Sequence, residues 1–394
     1  MRQGRPVADL CVYLGNNAPV RILTHRLPKI PAGYDFDVFS EDALLTRMEL
    51  KEGKIVLPTG QCYSMMVLPR SGEISLDALR KIALLVKQGA CVYGNRPTGS
   101  PCKKDIGKED EYEALVHAMW DATGFYGKGR VFSGMTLSEA LQKMCIAPDV
   151  DGTKLYFAHR ETEDCDIYFL DNHTDRQISG QYVFKTKYKY AQLWDAVSGR
   201  RYNLPSDKGH VTLHFLSRES CFIVFSDHKE NLEHKPSLQK QRVLDNDWTI
   251  YFDPRYKGKG TVHCRRLEYW NENEDPAIRY YSGTAVYRTS FEWNGDSTGV
   301  HLQIPSNNCV TEVYVNGQQA GTIWCSPWVL DISSYMKSGK NEFELHVTNS
   351  WNNRAIDDLG QDKNDRLIGK PELFVSESSI LQDAGLQGEV LLRY

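Results

Sequence analysis

Residues 62–93 carry the pattern that most restricts this chain: an apolar run, an amphipathic helix and a second apolar run. "CYSMMVLP" (62–69) reads as a strand. In "SLDALRKIALLVKQGA", Leu76, Leu79, Ile82, Ala83 and Val86 recur at three- and four-residue spacing, as on a helix with one apolar face. Ser75 stands at the N-cap position and Gly89 where such a helix stops. "CVYG" (91–94) follows as the next strand. Strands joined through a helix over so short a stretch lie parallel. With "VADLCVYLG" as a further strand, residues 1–148 read as a parallel α/β domain.

The same order bears on Cys91. "LLVKQGACVYGNRPTGSP" (84–101) is similar to the cysteine elbow of class I glutamine amidotransferases, with His159 and Glu161 of "HRE" as stand-ins for that family's partners. An elbow runs strand, nucleophile, helix, which puts the thiol at a helix N-terminus. Cys91 instead follows a helix and begins a strand, and Gly94 lies one position too far along. Cys91 is therefore expected in the core.

Residues 149–244 change character. "KLYFAHRE", "CDIYFLDN", "ISGQYVFKT", "HVTLHFL" and "SCFIVFS" are short strands with turn residues between them, the spacing of an antiparallel β-sandwich. "WDAVSGRRYNLP" (194–205) reads as a turn between strands, and the polar stretch 226–247 as a linker. Residues 245–394 form a second β domain. Asn316-Gly317 in "VYVNGQQAG" marks a hairpin, because both turn positions need positive φ. Eight strands in a jelly roll fit this part.

Composition excludes several classes. The formal charge of −4 comes from interspersed signs, so neither a nucleic-acid footprint nor a polybasic membrane patch is present. No apolar run approaches the roughly 20 residues that span a bilayer, and "MRQGRPVADL" lacks the apolar centre of a signal peptide. The ten cysteines show no C-x-x-C, which argues against zinc and for free, mostly buried thiols.

"RYYSGTAVYRTSF" (279–291), "VYVNGQQAGTIWCSPWVLDISSYMKSGKNEFELHVTNSWNNR" (313–354) and the closing "GLQGEV" resemble the galactose-binding-like jelly roll that ends many glycoside hydrolases. "GRPVADLCVYLGNNAP" (4–19), "GYDFD" (33–37), "YSMMVLP…LVKQGACVYGNRPTGSP" and "HRETEDCDIYFLDN" (159–172) resemble, in order, the C-terminal half of glycoside hydrolase family 106, the α-L-rhamnosidases. The resemblance implies three domains: flavodoxin-like α/β (1–148, amidotransferase-like but non-catalytic), a small β-sandwich with its linker (149–244), and a galactose-binding-like jelly roll (245–394). It implies a rhamnose-containing glycan as partner, calcium as the family's metal, and export in the parent enzyme. That family hydrolyses by inversion with two glutamates on a barrel preceding the segment resembled here; no position of this chain matches them. The expectation is an accessory portion without the chemistry, and the alternative a free-standing carbohydrate-binding protein. "NRAIDD" (353–358) departs from the family's "NRLIGD"-like run: Ala355 replaces a larger residue and Asp357 a glycine.

Candidate sites follow. "ETEDCD" (Glu161, Glu163, Asp164, Asp166) and "NENEDP" (Glu272, Glu274, Asp275) are acidic turns in which nothing fixes two carboxyls across a sugar. "DDLGQDKNDR" (357–366) is rich in oxygen ligands but lacks the D-x-[DN]-x-[DN]-G spacing of a calcium loop. "NSWNNR" offers planar amides, a guanidinium and an aromatic face in a loop after a strand: Asn349, Trp351, Asn352, Asn353 and Arg354. These, with Asp358, either bind carbohydrate or brace the jelly roll against a catalytic barrel. Trp324 and Trp328 are expected in the core.

Overall fold

The periodicity after Ser75 becomes helix α1 (Leu76–Gln88): the Ser75 hydroxyl accepts the Ala78 amide, and Gly89 ends the helix at φ 135°. The structure is a computed structural model, and it describes residues 3–15, 27–120, 123–152, 154–236, 238, 240–296 and 298–394; the "NNAP" end of the quoted N-terminal run lies outside them. The chain forms two compact units, residues 1–234 and 235–394. No helix among the described residues is long and apolar enough to cross a membrane.

In the first unit α1 joins parallel strands of a six-stranded sheet. The parallel members are β1 (Leu10–Tyr13), β2 (Phe36–Phe39), β3 (Met65–Val67), β4 (Cys91–Tyr93) and β5 (Gly129–Phe132), in spatial order 2-1-3-4-5. Phe125–Tyr126 closes the far edge antiparallel. Cys11, Tyr13, Met66, Val92 and Val131 pack in one cluster with the apolar face of α1. Their strand neighbours Leu10, Val12, Met65, Val67, Cys91 and Phe132 pack on the other face with α2 (Leu137–Lys143). Burial on both faces is why these strands read as continuous apolar runs. Each larger side chain so buried contributes roughly 1.5–3 kcal/mol. Gly129 starts β5 beneath the end of α1; a Cβ there would lie 2.2 Å from the Val86 carbonyl oxygen.

Residues 62–69 are not one strand. Cys62–Tyr63 pairs with Lys54–Val56 in a separate three-stranded antiparallel sheet, and only Met65–Val67 joins the parallel one. The break is at Ser64, where the amides of Ser64 and Met65 both donate to the Asp9 carbonyl oxygen at 2.8 and 3.1 Å.

The strands predicted beyond residue 149 form a β-sandwich in the same unit. Its larger sheet runs Arg5–Val7, Tyr156–Glu161, Cys165–Asp171, Ser220–Ser226, Tyr190–Trp194, Arg201–Leu204; the smaller runs Val150–Asp151, Ile178–Phe184, His210–Phe215. Tyr168, Phe184, Phe215, Ile223 and Phe225 fill the space between them. Arg5–Val7 is an edge strand of this sandwich, antiparallel to Tyr156–Glu161, although the very next strand, β1, belongs to the parallel sheet.

Buried polar groups gather where the chain passes from one sheet system to the other. Lys185 Nζ meets Asp9 Oδ2 at 2.5 Å, and the Ser64 hydroxyl donates to Asp9 Oδ1 at 2.9 Å. His159 lies between Asp149 and Asp166, each 3.4 Å from a ring nitrogen, and its ring stacks on Tyr168 at 4.0 Å. Thr186 donates to the other oxygen of Asp166 at 2.7 Å. The Asp149 amide donates to the Gly33 carbonyl at 2.8 Å, and a Cβ on Gly33 (φ 83°) would stand 2.4 Å from the Val150 carbonyl oxygen. Burial works against an imidazolium at His159, but the two carboxylates together hold its pKa above the usual histidine range. Burial pushes the Asp35 carboxyl up to about 6, with Asp37 and Asp149 adding to the effect.

The second unit is all β apart from short helices. A six-stranded antiparallel sheet (Gly260–Cys264, Trp248–Phe252, Thr284–Trp293, Gly339–Thr348, Val310–Val315, Gln318–Ile323) and a four-stranded one (Gln241–Val243, Leu391–Arg393, His301–Gln303, Val329–Asp331) share one core. Asn316 (φ 51°) and Gly317 (φ 78°) make the predicted hairpin turn. The polar stretch 226–247 is not wholly a linker, since Gln241–Val243 pairs with Leu391–Arg393.

Both titrating groups bind protons more tightly folded than unfolded. Their contributions to the 1–234 unit are therefore present in acid and lost as pH rises, from about 4 to 6 for Asp35 and above about 6.5 for His159. Asp35→Asn should raise the urea midpoint of this unit, by an increment that grows between about pH 4 and 6 and levels off above. His159→Ala leaves two buried carboxylates without their shared cation and should cost about 3 kcal/mol in the same measurement near neutral pH.

Candidate functional site

The strand Gly339–Thr348 pairs along its whole length with Thr284–Trp293, so the chain leaves the sheet at Thr348 in a fixed position. Asn349 comes next. Its Oδ1 accepts the Gly283 amide at 2.9 Å and its Nδ2 donates to the Tyr281 carbonyl at 3.0 Å. Where a loop was expected, Asn352–Leu359 is a helix, α3. Asp357, standing at the family's glycine, is an ordinary helical residue whose Oδ2 accepts from Arg354 Nη1 at 2.6 Å, one turn away. The small Ala355 is buried against the unit's interior.

The helix brings the predicted residues together, but with most of their polar atoms already engaged. Asn353 accepts the Gln382 amide at 2.8 Å and donates to the Gln382 carbonyl at 2.7 Å, which fastens that segment to the helix. The backbone amide of Arg354 donates to the Ser282 hydroxyl at 3.1 Å. Asp358 Oδ2 accepts the amides of Leu367 and Ile368 at 2.9 and 2.7 Å. Its Oδ1 lies 3.6 Å from Lys257 Nζ and 3.8 Å from Arg354 Nη1. Asn353, Arg354 and Asp358 are all buried; Asn352 reaches the Ile380 carbonyl with a long 3.4 Å contact.

Among polar neighbours such as Lys370, Glu372 and Glu377, several apolar side chains also stand open to solvent here. Trp351 is 45% exposed and meets Tyr256 edge-on at 5.7 Å. Around α3 the segment 367–380 leaves Leu373, Phe374 (74%) and Ile380 (83%) exposed, with Leu367 partly so. The sequence signal for this face is a run of apolar residues with neither helical nor strand period between Gly369, Pro371 and a serine cluster.

Other expected sites resolve in the same way. Of the aspartates in "DDLGQDKNDR", Asp357 and Asp358 face Arg354, and Asp358 also Lys257, cations that would repel a calcium ion at those two carboxylates. Among the described residues no group of three or more His, Cys, Asp or Glu side chains is arranged to hold a metal. Glu161 pairs with Arg5, and Asp166 with His159 and Thr186. Asp275 caps a helical turn, and Lys259, 2.6 Å away, holds its carboxyl below the usual range, the wrong direction for a general acid. Cys91 begins β4 facing α2, its sulfur 3.7 Å from that of Met144; burial pushes its thiol up, against a weaker pull from Arg130, opposite to what a nucleophile needs. The described cysteines are free thiols, but only Cys11, Cys91, Cys221 and Cys309 are fully buried. Trp328 packs against the core as expected, whereas Trp324 is 59% exposed. It follows the inward-facing Ile323, so strand alternation turns it outward.

The family model of glycoside hydrolase family 106, described as alpha-L-rhamnosidase, matches residues 1–205. A rhamnosidase of known structure from Novosphingobium sp. PP1Y superposes on the whole of this chain with a TM-score of 0.78 and 29% identity, over 39% of its own length. A protein of Formosa agariphila carrying a beta-glucuronidase name is 32% identical over 201 residues, 50% of this chain and 17% of that protein. The chain thus spans well under half the length of either relative. With residues 1–205 of its 394 matched by the family model, a stretch that holds a mixed α/β part and β-sandwich strands, the chain belongs to family 106, the α-L-rhamnosidases.

Proposed function

We propose that this chain is the accessory portion of an α-L-rhamnosidase acting on a rhamnose-containing glycan, and that its second unit docks onto a catalytic barrel which the described residues do not form. In this reading residues 1–148 are a flavodoxin-like domain, supported by the strand order 2-1-3-4-5. Residues 149–244 are the sandwich, and 245–394 a galactose-binding-like jelly roll. None of the described sheets exceeds six strands, against the eight parallel strands of a (β/α)₈ barrel.

The observation that carries the docking role is the contrast around α3. Asn349, Asn353, Arg354 and Asp358 direct most of their polar atoms into internal bonds, with Arg354 Nε and Asp358 Oδ1 left without one, while Trp351, Leu373, Phe374 and Ile380 stand exposed. Exposed apolar groups gathered beside a rigid polar brace mark an interaction surface. The second reading, a free-standing carbohydrate-binding protein, draws on the exposed Trp351–Tyr256 pair, whose rings could carry the C–H face of a sugar.

Two measurements test this. The folded 394-residue chain should not turn over an aryl α-L-rhamnoside, with or without calcium; turnover abolished by an alanine at one of its own carboxylates would overturn the accessory role. Arg354→Ala should destabilise the 235–394 unit by about 3 kcal/mol, since it strips a buried carboxylate of a cation. Trp351→Ala should change stability by no more than about 0.5 kcal/mol. Rhamnose affinity that is lost in Trp351→Ala would favour the binding protein instead.

A further inference from the structure

The first unit contains a crevice that the docking role leaves unused. It lies past the C-terminal ends of β3, β4 and β5, and its volume is about 490 Å³, within the range of small-molecule sites. In open α/β sheets this is the end at which ligands bind, because the loops there diverge and leave backbone and side chains free to converge on a guest.

The lining has a specific chemistry. Among the described residues its charged members are Lys29 and Arg70, both cations, and no carboxylate lines it. Neither makes a hydrogen bond or ion pair with a described residue, whereas other cations of the unit, such as Arg80, Lys104 and Lys185, are paired with carboxylates. Asn95 and Ser138 add uncharged donors and acceptors. Pro69 and the ring of Tyr93 supply apolar wall; the Tyr93 hydroxyl is held by the Met135 carbonyl at 3.0 Å, so the ring is fixed and its face available.

From this lining we infer a binding site for a small hydroxylated carboxylic acid the size of one or two sugar rings, such as a uronic acid. The guanidinium of Arg70 matches a carboxylate in a two-point fork, and Lys29 adds a second positive charge. Asn95 and Ser138 take hydroxyls, and the wall of Pro69 and Tyr93 takes the ring's C–H face. The site rests on residues 1–234 alone, so it stands or falls separately from the docking role of the second unit.

Titration calorimetry of the full chain with D-galacturonate, D-glucuronate, D-galactose and inorganic phosphate tests it. At least one sugar acid should bind at millimolar concentration or better, and galactose at least tenfold more weakly. Arg70→Gln and Lys29→Gln, both on exposed side chains that bear no structural bond, should each weaken the acid about tenfold, which corresponds to about 1.4 kcal/mol. Trp351→Ala should leave it unchanged. Galactose binding as tightly as the acids, phosphate displacing them at equal concentration, or no acid binding by the folded chain would each overturn the assignment.

Discussion

The first unit depends on one constraint: consecutive short strands near its start serve different sheets. Arg5–Val7 is an edge strand of the sandwich and Leu10–Tyr13 is central in the parallel sheet, so Ala8 and Asp9 are the pivot between them. Asp9 holds that pivot from both sides, accepting backbone amides from the parallel-sheet side and a lysine from the sandwich side. The His159 network, a few residues away along the paired strand, adds a second buried polar contact set. Buried charges tie geometry more tightly than apolar contacts because an unpaired partner is so costly. The two sheet systems therefore share one compact unit rather than behaving as separate beads.

Much of this was legible where the physics is local. α1 carries its own periodicity, cap and stop, and the parallel strands announce two-sided burial by their unbroken apolar runs. The evenly spaced sandwich strands and the Asn316-Gly317 turn are equally local signals. The pivot was not legible, because Asp9, Lys185, Asp149, His159 and Asp166 are ordinary residues in sequence and meet only through the fold. Residues 62–69 failed for the same reason: the carbonyl that breaks the strand at Ser64 belongs to Asp9.

The candidate site shows the limit from the other direction. "NSWNNR" looks like a ligand loop because its residue types are those of sugar recognition, and it folds as the start of a helix because of distant partners. Ser282 and Gln382 take up Arg354 and Asn353, and Asp358 reaches Leu367 and Ile368. An eight-residue polar helix has little intrinsic stability, so no pattern within it announces it. Residue type singled these side chains out, and the fold engages most of their polar atoms in internal bonds. Trp324 is the converse, an aromatic read as core that strand register turns to solvent.

The split use of the N-terminal strands also sets a timetable for folding. Arg5–Val7 can find its place only when Tyr156–Glu161 exists, so during synthesis it waits unpaired while roughly 150 residues emerge; contacts that distant in sequence close slowly. The parallel sheet, whose strands all precede residue 133, can condense first around α1. The sandwich must then complete its edge from a segment already anchored at its far end, which turns a diffusive search into a local one.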